Sequence, residues 1–233
     1  MPESDRSPDP LYASHDTAEP PPSSEYIVIS FLSEPDVESA ALLYTEVFLH
    51  DEPTSVRIAP DPARLLTHAR WYVNSLVGRG FSTIARDTGT GDLIGFMFCF
   101  DLTDNFGDDA ARFKEYLANF REAIVMIDEL EMRFLNRSSI SPGYVLHALQ
   151  AGVSRKYRGR GVLKAMMGLL IHRARERGYR QIVAECTNPL SIMALEQHGF
   201  QKAGYLEYDS FFIDGVRFFE GLEGDLSLMV LDL

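Results

Sequence analysis

Residues 155–164 read Arg155-Lys156-Tyr157-Arg158-Gly159-Arg160-Gly161-Val162-Leu163-Lys164 and lead directly into a pattern typical of a long helix. The stretch concentrates basic side chains and two glycines in a chain whose formal net charge is -12. Glycines at a helix start let backbone N–H groups and the positive end of the helix dipole approach an anion closely. A bound polyphosphate would explain this local reversal of charge. A solvated basic turn between a strand and a helix explains it equally well.

The composition is that of an ordinary globular protein. With 233 residues, 45% of them hydrophobic, the chain suits one large domain. No apolar run approaches the ~20 residues that span a bilayer, and the N-terminus has no secretory pattern. Cys99 and Cys186, the two cysteines, lie in apolar strand-like segments, which predicts buried thiols in the reducing cytoplasm. The acidic balance argues against nucleic acid as a partner and mildly favours cationic small molecules.

The chain divides into a tail and one folded unit. Residues 1–24 hold half of the 12 prolines and few large apolar residues, which predicts a disordered tail followed by a single domain at 25–233. Hydrophobic periodicity predicts helices at 37–48, 62–77, 109–135, 162–177 and 190–197, and strands at 26–31, 81–86, 93–102, 144–154, 181–186, 203–212 and 225–231. Early in the chain the predicted strands follow one another directly, and later they alternate with helices. We therefore expect a mixed α/β sheet of about seven strands flanked by helices.

The strand at 145–153, the basic turn, the helix after it and Gly199-Phe200 together resemble the GNAT acetyltransferase superfamily. Arg158 and Gly161 match its signature, whereas Leu163 occupies the last small-residue position. The resemblance implies a GNAT fold, acetyl-CoA as acyl donor and no metal. It implies that backbone N–H groups hold the pyrophosphate, and that the strand edge near Ala151 and Val153 pairs with the pantetheine amides. The N–H groups concerned belong to Arg158, Gly159, Arg160, Gly161, Val162 and Leu163.

Two further segments are similar to the insect arylalkylamine N-acetyltransferases of the dopamine/serotonin type. They are Cys186–Ser191, which reads CTNPLS, and Phe48–Pro53, which reads FLHDEP. A long inserted helix before the strand at 145–153 agrees with this group. Leu195 stands where many superfamily members carry a tyrosine as thiolate acid, and the arylalkylamine group lacks that tyrosine as well.

The resemblance assigns candidate roles for acyl transfer to an amine. An amine with a pKa near ~10 must first lose a proton. Glu52 is the candidate base through water, and His50, whose ordinary pKa of ~6.5 suits the task, is a rival. From composition alone, Glu52 would be part of a solvated loop in which Pro53 ends the helix. The N–H of Val153 is the candidate oxyanion donor.

The segment after the strand at 181–186 supplies the other candidates. Ser191 is a candidate proton donor to the leaving thiolate, with Thr187 beside it in a hydroxyl network. Asn188 is a candidate coenzyme A contact. Asn188 could equally make only an Asx turn before Pro189, and Ser191 is equally typical of a helix N-cap or of the first turn of a helix.

The acceptor side is less defined by the sequence. Aromatic side chains gather near the C-terminus and are candidates for the wall of an amine pocket, although packing explains at least half of them: Tyr205, Tyr208, Phe211, Phe212, Phe218 and Phe219. His147 either faces this pocket or is structural, and we find no metal-ligand spacing.

The sequence therefore predicts a cytoplasmic N-acetyltransferase for a small primary amine, arylalkylamine- or polyamine-like. We expect a monomer or homodimer without nucleic-acid or membrane partners. The alternatives are a peptide amine acyltransferase with a longer acyl donor and a non-catalytic acyl-CoA-binding sensor.

Overall fold

The computed structural model describes residues 26–233, so the predicted tail lies outside the described residues. The strands are β1 (Ile27–Phe31), β2 (Thr83–Asp87), β3 (Leu93–Asp101), β4 (Val145–Val153), β5 (Gln181–Cys186), β6 (Gln201–Glu207) and β7 (Asp225–Asp232). The helices are α1 (Val37–His50), α2 (Pro53–Ile58), α3 (Pro62–Val77), α4 (Ala110–Leu117), α5 (Arg121–Phe134), α6 (Val162–Glu176) and α7 (Pro189–Glu196).

All seven strands form one mixed sheet in the order β1-β2-β3-β4-β5-β7-β6. Neighbouring strands are antiparallel except β4 and β5, which are parallel and joined through α6. This arrangement agrees with the expected α/β sheet flanked by helices. A parallel pair needs a crossover connection, which explains why the basic turn and its helix lie between these two strands.

Helices cover both faces of the sheet. Helix α6 packs across β1 to β4 on one face, and α7 packs beside it. On the other face, α1 and α3 cover β3, while α5 lies over β6 and β7. The ends of β4 and β5 therefore lie between two layers of helices.

The central strands separate near their carboxyl ends. Pairing between β4 and β5 is limited to Val145–His147 opposite Gln181–Val183. On its other side β4 stays paired with β3 as far as Val153, with a register shift between Phe98 and Cys99 that leaves an extra residue, Leu149, in β4. Such a bulge bends a strand. The result is a gap between β4 and β5 with unpaired backbone on the β4 side.

The predicted long helix at 109–135 is wrong as one element. A single 3₁₀ turn at Ala118–Phe120 interrupts it. Before the turn, α4 packs against α3; after the turn, α5 packs against β6 and β7. Asn119 explains the break, because its side-chain amide donates to the Tyr116 carbonyl at 2.6 Å and to His68 Nδ1 at 2.8 Å. A side chain that takes a helix carbonyl competes with the backbone ladder.

Two other boundaries differ from the prediction. The strand predicted at 203–212 is β6, which ends at Glu207, because the chain then turns and buries Tyr208 in the core. Pro53 was expected only to end the helix before it, but it also begins a further helix. It occupies the first turn of α2, where a proline is favoured because its missing N–H needs no partner.

Candidate active site

A cavity of about 850 Å³ opens where β4 and β5 separate. That volume lies in the range of small-molecule sites. It is lined by the basic turn and the start of α6 on one side, by the α1–α2 connection and α5 on the other, and by the chain from β5 into α7. The sequence-predicted residues lining it are Glu52, Ala151, Val153, Arg158, Gly159, Gly161, Val162, Leu163, Thr187, Asn188 and Ser191. Arg160 is not among the lining residues that the structure describes.

The edge of β4 faces this cavity with free backbone groups. The Ser154 N–H, just after β4, donates to the carbonyl of Ile94 in β3 at 2.8 Å. Because donors alternate along an antiparallel strand, the backbone of Gly152 faces β3, whereas that of Ala151 and Val153 faces the gap. The Val153 carbonyl is already occupied by Arg158 Nε at 3.0 Å. The Val153 N–H and both polar groups of Ala151 remain for a ligand that extends the sheet.

The basic turn forms a backbone cradle at the start of α6. Gly159 and Gly161 have φ angles of +74° and +76°, which disfavour any other residue, and no atom lies within 4 Å of where their side chains would begin. Gly161 is the N-cap of α6, so the N–H groups of the first turn point outward without helical partners. Leu163 packs its side chain against the core under α6, which leaves its N–H in the cradle.

Most basic side chains of the turn bind the protein itself. Arg155 Nε and Arg158 Nη2 donate to the two carboxylate oxygens of Asp51 at 2.6 and 2.5 Å. Burial opposes the charge of Asp51, but the two guanidinium groups outweigh it and hold the pKa of that carboxyl below its usual range. The Tyr157 hydroxyl donates to Asp87 at 2.7 Å. These contacts fix the turn at Asp51 and at Asp87, and they direct the Arg155 and Arg158 side chains to Asp51.

Glu52 lies at the cavity wall in a fixed orientation. It is the N-cap of α2, where its carboxylate accepts the Ser55 N–H at 2.6 Å, the Thr54 N–H at 3.2 Å and the Thr54 hydroxyl at 2.8 Å. His50 is exposed, and it is not among the described residues that line the cavity. The structure therefore favours Glu52 over His50 as a group that meets a ligand. Pro53 after an acidic residue was the sequence signal for this cap.

The start of α7 completes the cavity opposite the cradle. The Asn188 side chain caps α7, accepting the Ser191 N–H at 3.0 Å and the Ser191 hydroxyl at 3.3 Å. Asn188 is thus the N-cap of α7, whereas Ser191 is an early helix residue that is also among the residues lining the cavity. The Thr187 carbonyl accepts the hydroxyl of the buried Tyr208 at 3.2 Å, which fixes this segment to the core.

The predicted aromatic wall is wrong in its location. None of the six C-terminal aromatic residues is among the described residues that line the cavity, because Tyr208 and Phe219 are core residues while Tyr205 and Phe212 are exposed to solvent. The apolar wall comes instead from α1 and the start of α5, through Phe48, Phe120, Ala123, Ile124 and Ile127. Sequence periodicity marked these residues as core positions only.

His147 belongs to a buried ionic cluster. Its Nε2 lies 2.6 Å from Glu185 Oε2, and Glu131 accepts from Arg137 Nη1 at 2.6 Å. One ligand-type atom from each of Glu131, His147 and Glu185 lies within 4.8 Å of the other two. Arg137 and a proton on His147 balance the two carboxylates, so the arrangement is that of an ion-pair network. The side chain of Glu185 is 1% exposed, although the residue itself is among those that line the cavity.

This cluster makes the stability of the protein depend on pH. Burial disfavours the charge on His147, but the carboxylates of Glu185 and Glu131 outweigh it and raise its pKa above the ordinary 6.5. Burial beside Glu185 raises the pKa of Glu131 to about 7. The folded chain therefore keeps protons that the unfolded chain has released, and this stabilisation is lost as pH rises through the folded-state pKa values.

We expect the melting temperature, followed by scanning fluorimetry, to fall between about pH 6 and pH 8 for this reason. His147→Gln should flatten that slope. His172→Gln is the control, because His172 is 71% exposed on α6, and it should leave the slope unchanged. A slope that is equally steep in His147→Gln would show that the proton resides elsewhere.

The family model described as "Acetyltransferase (GNAT) family" matches residues 46–200, about two thirds of the chain. The chain belongs to the GNAT family. GNAT enzymes use acetyl-CoA as the acetyl donor and need no metal. The predicted membership and fold are therefore confirmed. No curated protein sequence matches the chain. Within residues 26–233, no helix has both the length and the apolar character to cross a membrane.

Solved GNAT structures share this fold. Arylalkylamine N-acetyltransferase 2 from Aedes aegypti is 16% identical, with a TM-score of 0.66 over 88% of this chain and 98% of that one. The Drosophila melanogaster polyamine N-acetyltransferase, which forms N-acetylagmatine, is 19% identical, with a TM-score of 0.67 over 89% and 100%. The phosphinothricin acetyltransferase of Sinorhizobium meliloti, solved with acetyl-CoA, is 19% identical, with a TM-score of 0.56 over 89% of both chains.

Proposed function

We propose that this GNAT protein transfers the acetyl group of acetyl-CoA to the primary amine of a small molecule by direct attack. The observation that carries the proposal is one cavity lined both by the phosphate-type cradle at Gly159–Gly161 and by the fixed carboxylate of Glu52. The names of the structural neighbours, which include arylalkylamine and polyamine N-acetyltransferases, support a small amine as acceptor.

Each proposed role follows from the geometry of a group in this chain. The cradle N–H groups of residues 158–163 hold the pyrophosphate, and the backbone of Ala151 binds the pantetheine as an added strand. Glu52 takes a proton from the ammonium through water, which frees the nitrogen lone pair to attack the thioester carbon. The Val153 N–H binds the thioester oxygen and stabilises the negative charge that develops on it as the nitrogen attacks. As the C–S bond breaks, the Ser191 hydroxyl, in a hydroxyl and water network with Thr187, relays a proton from water to the leaving thiolate.

The wider setting is proposed from the same observations. The two buried cysteines support the cytoplasm as location, and residues 25–233 act as one acyltransferase domain. The net charge of -12 supports a cationic small acceptor rather than nucleic acid. The proposal also includes action without a membrane partner, as a monomer or homodimer.

A thiol-release assay with acetyl-CoA tests the proposal. The full chain is incubated with arylalkylamines, polyamines and lysine peptides, and the products are identified by mass spectrometry. We expect free coenzyme A and an N-acetylated product with at least one small amine. Tight acetyl-CoA binding without thiol release from any amine would instead identify an acyl-CoA sensor. Acylation confined to peptides would identify a peptide acyltransferase.

A further inference from the structure

The ion pair of His147 and Glu185 lies where β4 and β5 separate. His147 is the last β4 residue paired with β5, opposite Val183, and Glu185 is the second residue after Val183. Alternate residues of a strand lie on one face, so Val183 and Glu185 share a face of β5. Ala148, the next residue of β4, already lines the cavity, as do Ala184 and Glu185 on the other strand. The pair therefore bridges the two strands at the point where their backbone pairing stops.

Each partner is held on its outer side by a neighbouring strand. His147 is paired with Phe100 of β3, and Glu185 is paired with Leu228 of β7. His147 Nε2 and Glu185 Oε2 lie 2.6 Å apart, and both side chains are buried. Because both backbones are fixed by their ladders, this short contact sets the distance between β4 and β5 at the start of the gap.

The same cluster reaches α5, the helix that supplies part of the apolar cavity wall. One ligand-type atom of Glu131 in α5 lies within 4.8 Å of those of His147 and Glu185. Arg137 donates to Glu131 at 2.6 Å and to the carbonyl of Leu102, just after β3, at 3.1 Å. The network thus joins β4, β5 and α5, three elements that line the cavity, to the end of β3.

Stability alone does not account for charged groups at this place. Two oxygens of the cluster, Glu131 Oε1 and Glu185 Oε1, are buried and accept no hydrogen bond from the residues that the structure describes. Buried ion pairs are often no more stabilising than apolar side chains of similar volume, and unsatisfied oxygens add a further cost. A short directional contact does, however, fix one arrangement of its two strands, which apolar contacts do less strictly.

We propose that His147 and Glu185 are positioning residues for acetyl-CoA, and that their ion pair holds the edge of β4 at the distance from β5 that the pantetheine arm requires. The inference rests on the proposed function, in which the backbone of Ala151 and Val153 binds the donor. Neither side chain touches the donor in this role. Both act through the β4 backbone, which carries the donor-binding groups farther along the strand.

Two amide variants of His147 test the proposal in the full chain. His147→Gln places an amide nitrogen near the position of His147 Nε2 and keeps the contact with Glu185. His147→Asn has the same amide on a side chain one methylene shorter and loses the contact. By calorimetric titration, the acetyl-CoA dissociation constant should stay within about threefold of wild type for His147→Gln and rise about tenfold for His147→Asn. In His147→Asn, kcat at saturating acetyl-CoA should change less than the KM for acetyl-CoA, because His147 does not touch the reacting atoms.

A double variant separates the loss of position from the effect of an unpaired buried charge. His147→Leu combined with Glu185→Leu removes both charges together, so the protein should fold with a melting temperature near that of wild type. It should nevertheless weaken acetyl-CoA binding by about tenfold or more. Arg79→Met is the control, because it breaks the partly buried pair with Asp104, and neither residue is among those described as lining the cavity. It should lower the melting temperature and leave the dissociation constant unchanged.

Wild-type affinity for acetyl-CoA in His147→Asn or in the double variant would overturn the positioning role. Equal weakening in His147→Gln and His147→Asn would do the same, and so would equal weakening in Arg79→Met, since the effect would then follow general stability. Absence of acetyl-CoA binding by the wild type would instead refute the proposed function.

Discussion

Glu52→Gln is expected to lower kcat by about 10²–10⁴-fold, the usual contribution of a general base. The amide is uncharged at neutral pH and takes no proton from the ammonium. Its one oxygen can still accept the Ser55 N–H, the shorter of the two backbone hydrogen bonds to the carboxylate, so the start of α2 should be retained. Steady-state thiol release gives kcat, and calorimetric titration gives the acetyl-CoA dissociation constant. That constant should stay within about twofold of wild type, because Glu52 lies outside the cradle.

The control for this change is Glu46→Gln, on the exposed face of α1. It removes the same charge from the preceding helix at a residue that is not among those described as lining the cavity, and it should leave kcat unchanged. Glu52→Gln with wild-type turnover would refute Glu52 as base. If acetyl-CoA binding collapsed in parallel with kcat, Glu52 would be a structural cap only.

Gly161→Ala should weaken acetyl-CoA binding by about tenfold or more. The φ of +76° at this N-cap costs an L-residue roughly 1–2 kcal/mol, so the alanine variant abandons the turn that directs the N–H groups of residues 162–164 outward. No atom crowds the site, so the effect is conformational. The dissociation constant from calorimetric titration measures it, and kcat at saturating acetyl-CoA should change far less.

Gly168→Ala is the matched control in the middle of the same helix. Its new methyl group would meet His198 at 3.7 Å, an ordinary contact, and its helical backbone suits alanine. It should bind acetyl-CoA like wild type and be slightly more stable. An unchanged dissociation constant in Gly161→Ala would remove the cradle from the proposed mechanism.

Local sequence patterns predict most of the fold because they report local preferences. The glycine turn, the N-cap residues and the strand periodicity each depend on a few neighbouring residues, and these elements lie within a few residues of the prediction. Asn119 broke a periodic helix through one side-chain hydrogen bond, which periodicity does not record. Gly204 lies so close to the Phe134 ring that a side chain there would approach to 2.3 Å, a constraint set by a helix 70 residues earlier in the chain.

The sequence predicts the parts of the candidate site that are formed by local backbone motifs. It does not predict the parts that are formed by side chains from distant positions in the chain. Gly159, Gly161 and Glu52 are recognisable from motifs. The pairing of Asp51 with Arg155 and Arg158 joins positions about 100 residues apart, so local sequence patterns do not reveal it. The apolar wall from α5 was hidden for the same reason, because α5 reaches the cavity only after the break at Asn119.

The short pairing between β4 and β5 also divides the sheet into two mechanical halves. Strands β1 to β4 carry α1 and α6, strands β5 to β7 carry α5 and α7, and only Val145–His147 join the halves through the sheet ladder. A pantetheine arm bound in the gap between β4 and β5 would act as a partial eighth strand that fills this gap. The donor substrate would then contact both halves at once, beside the packing of α6 against α7 that already joins them.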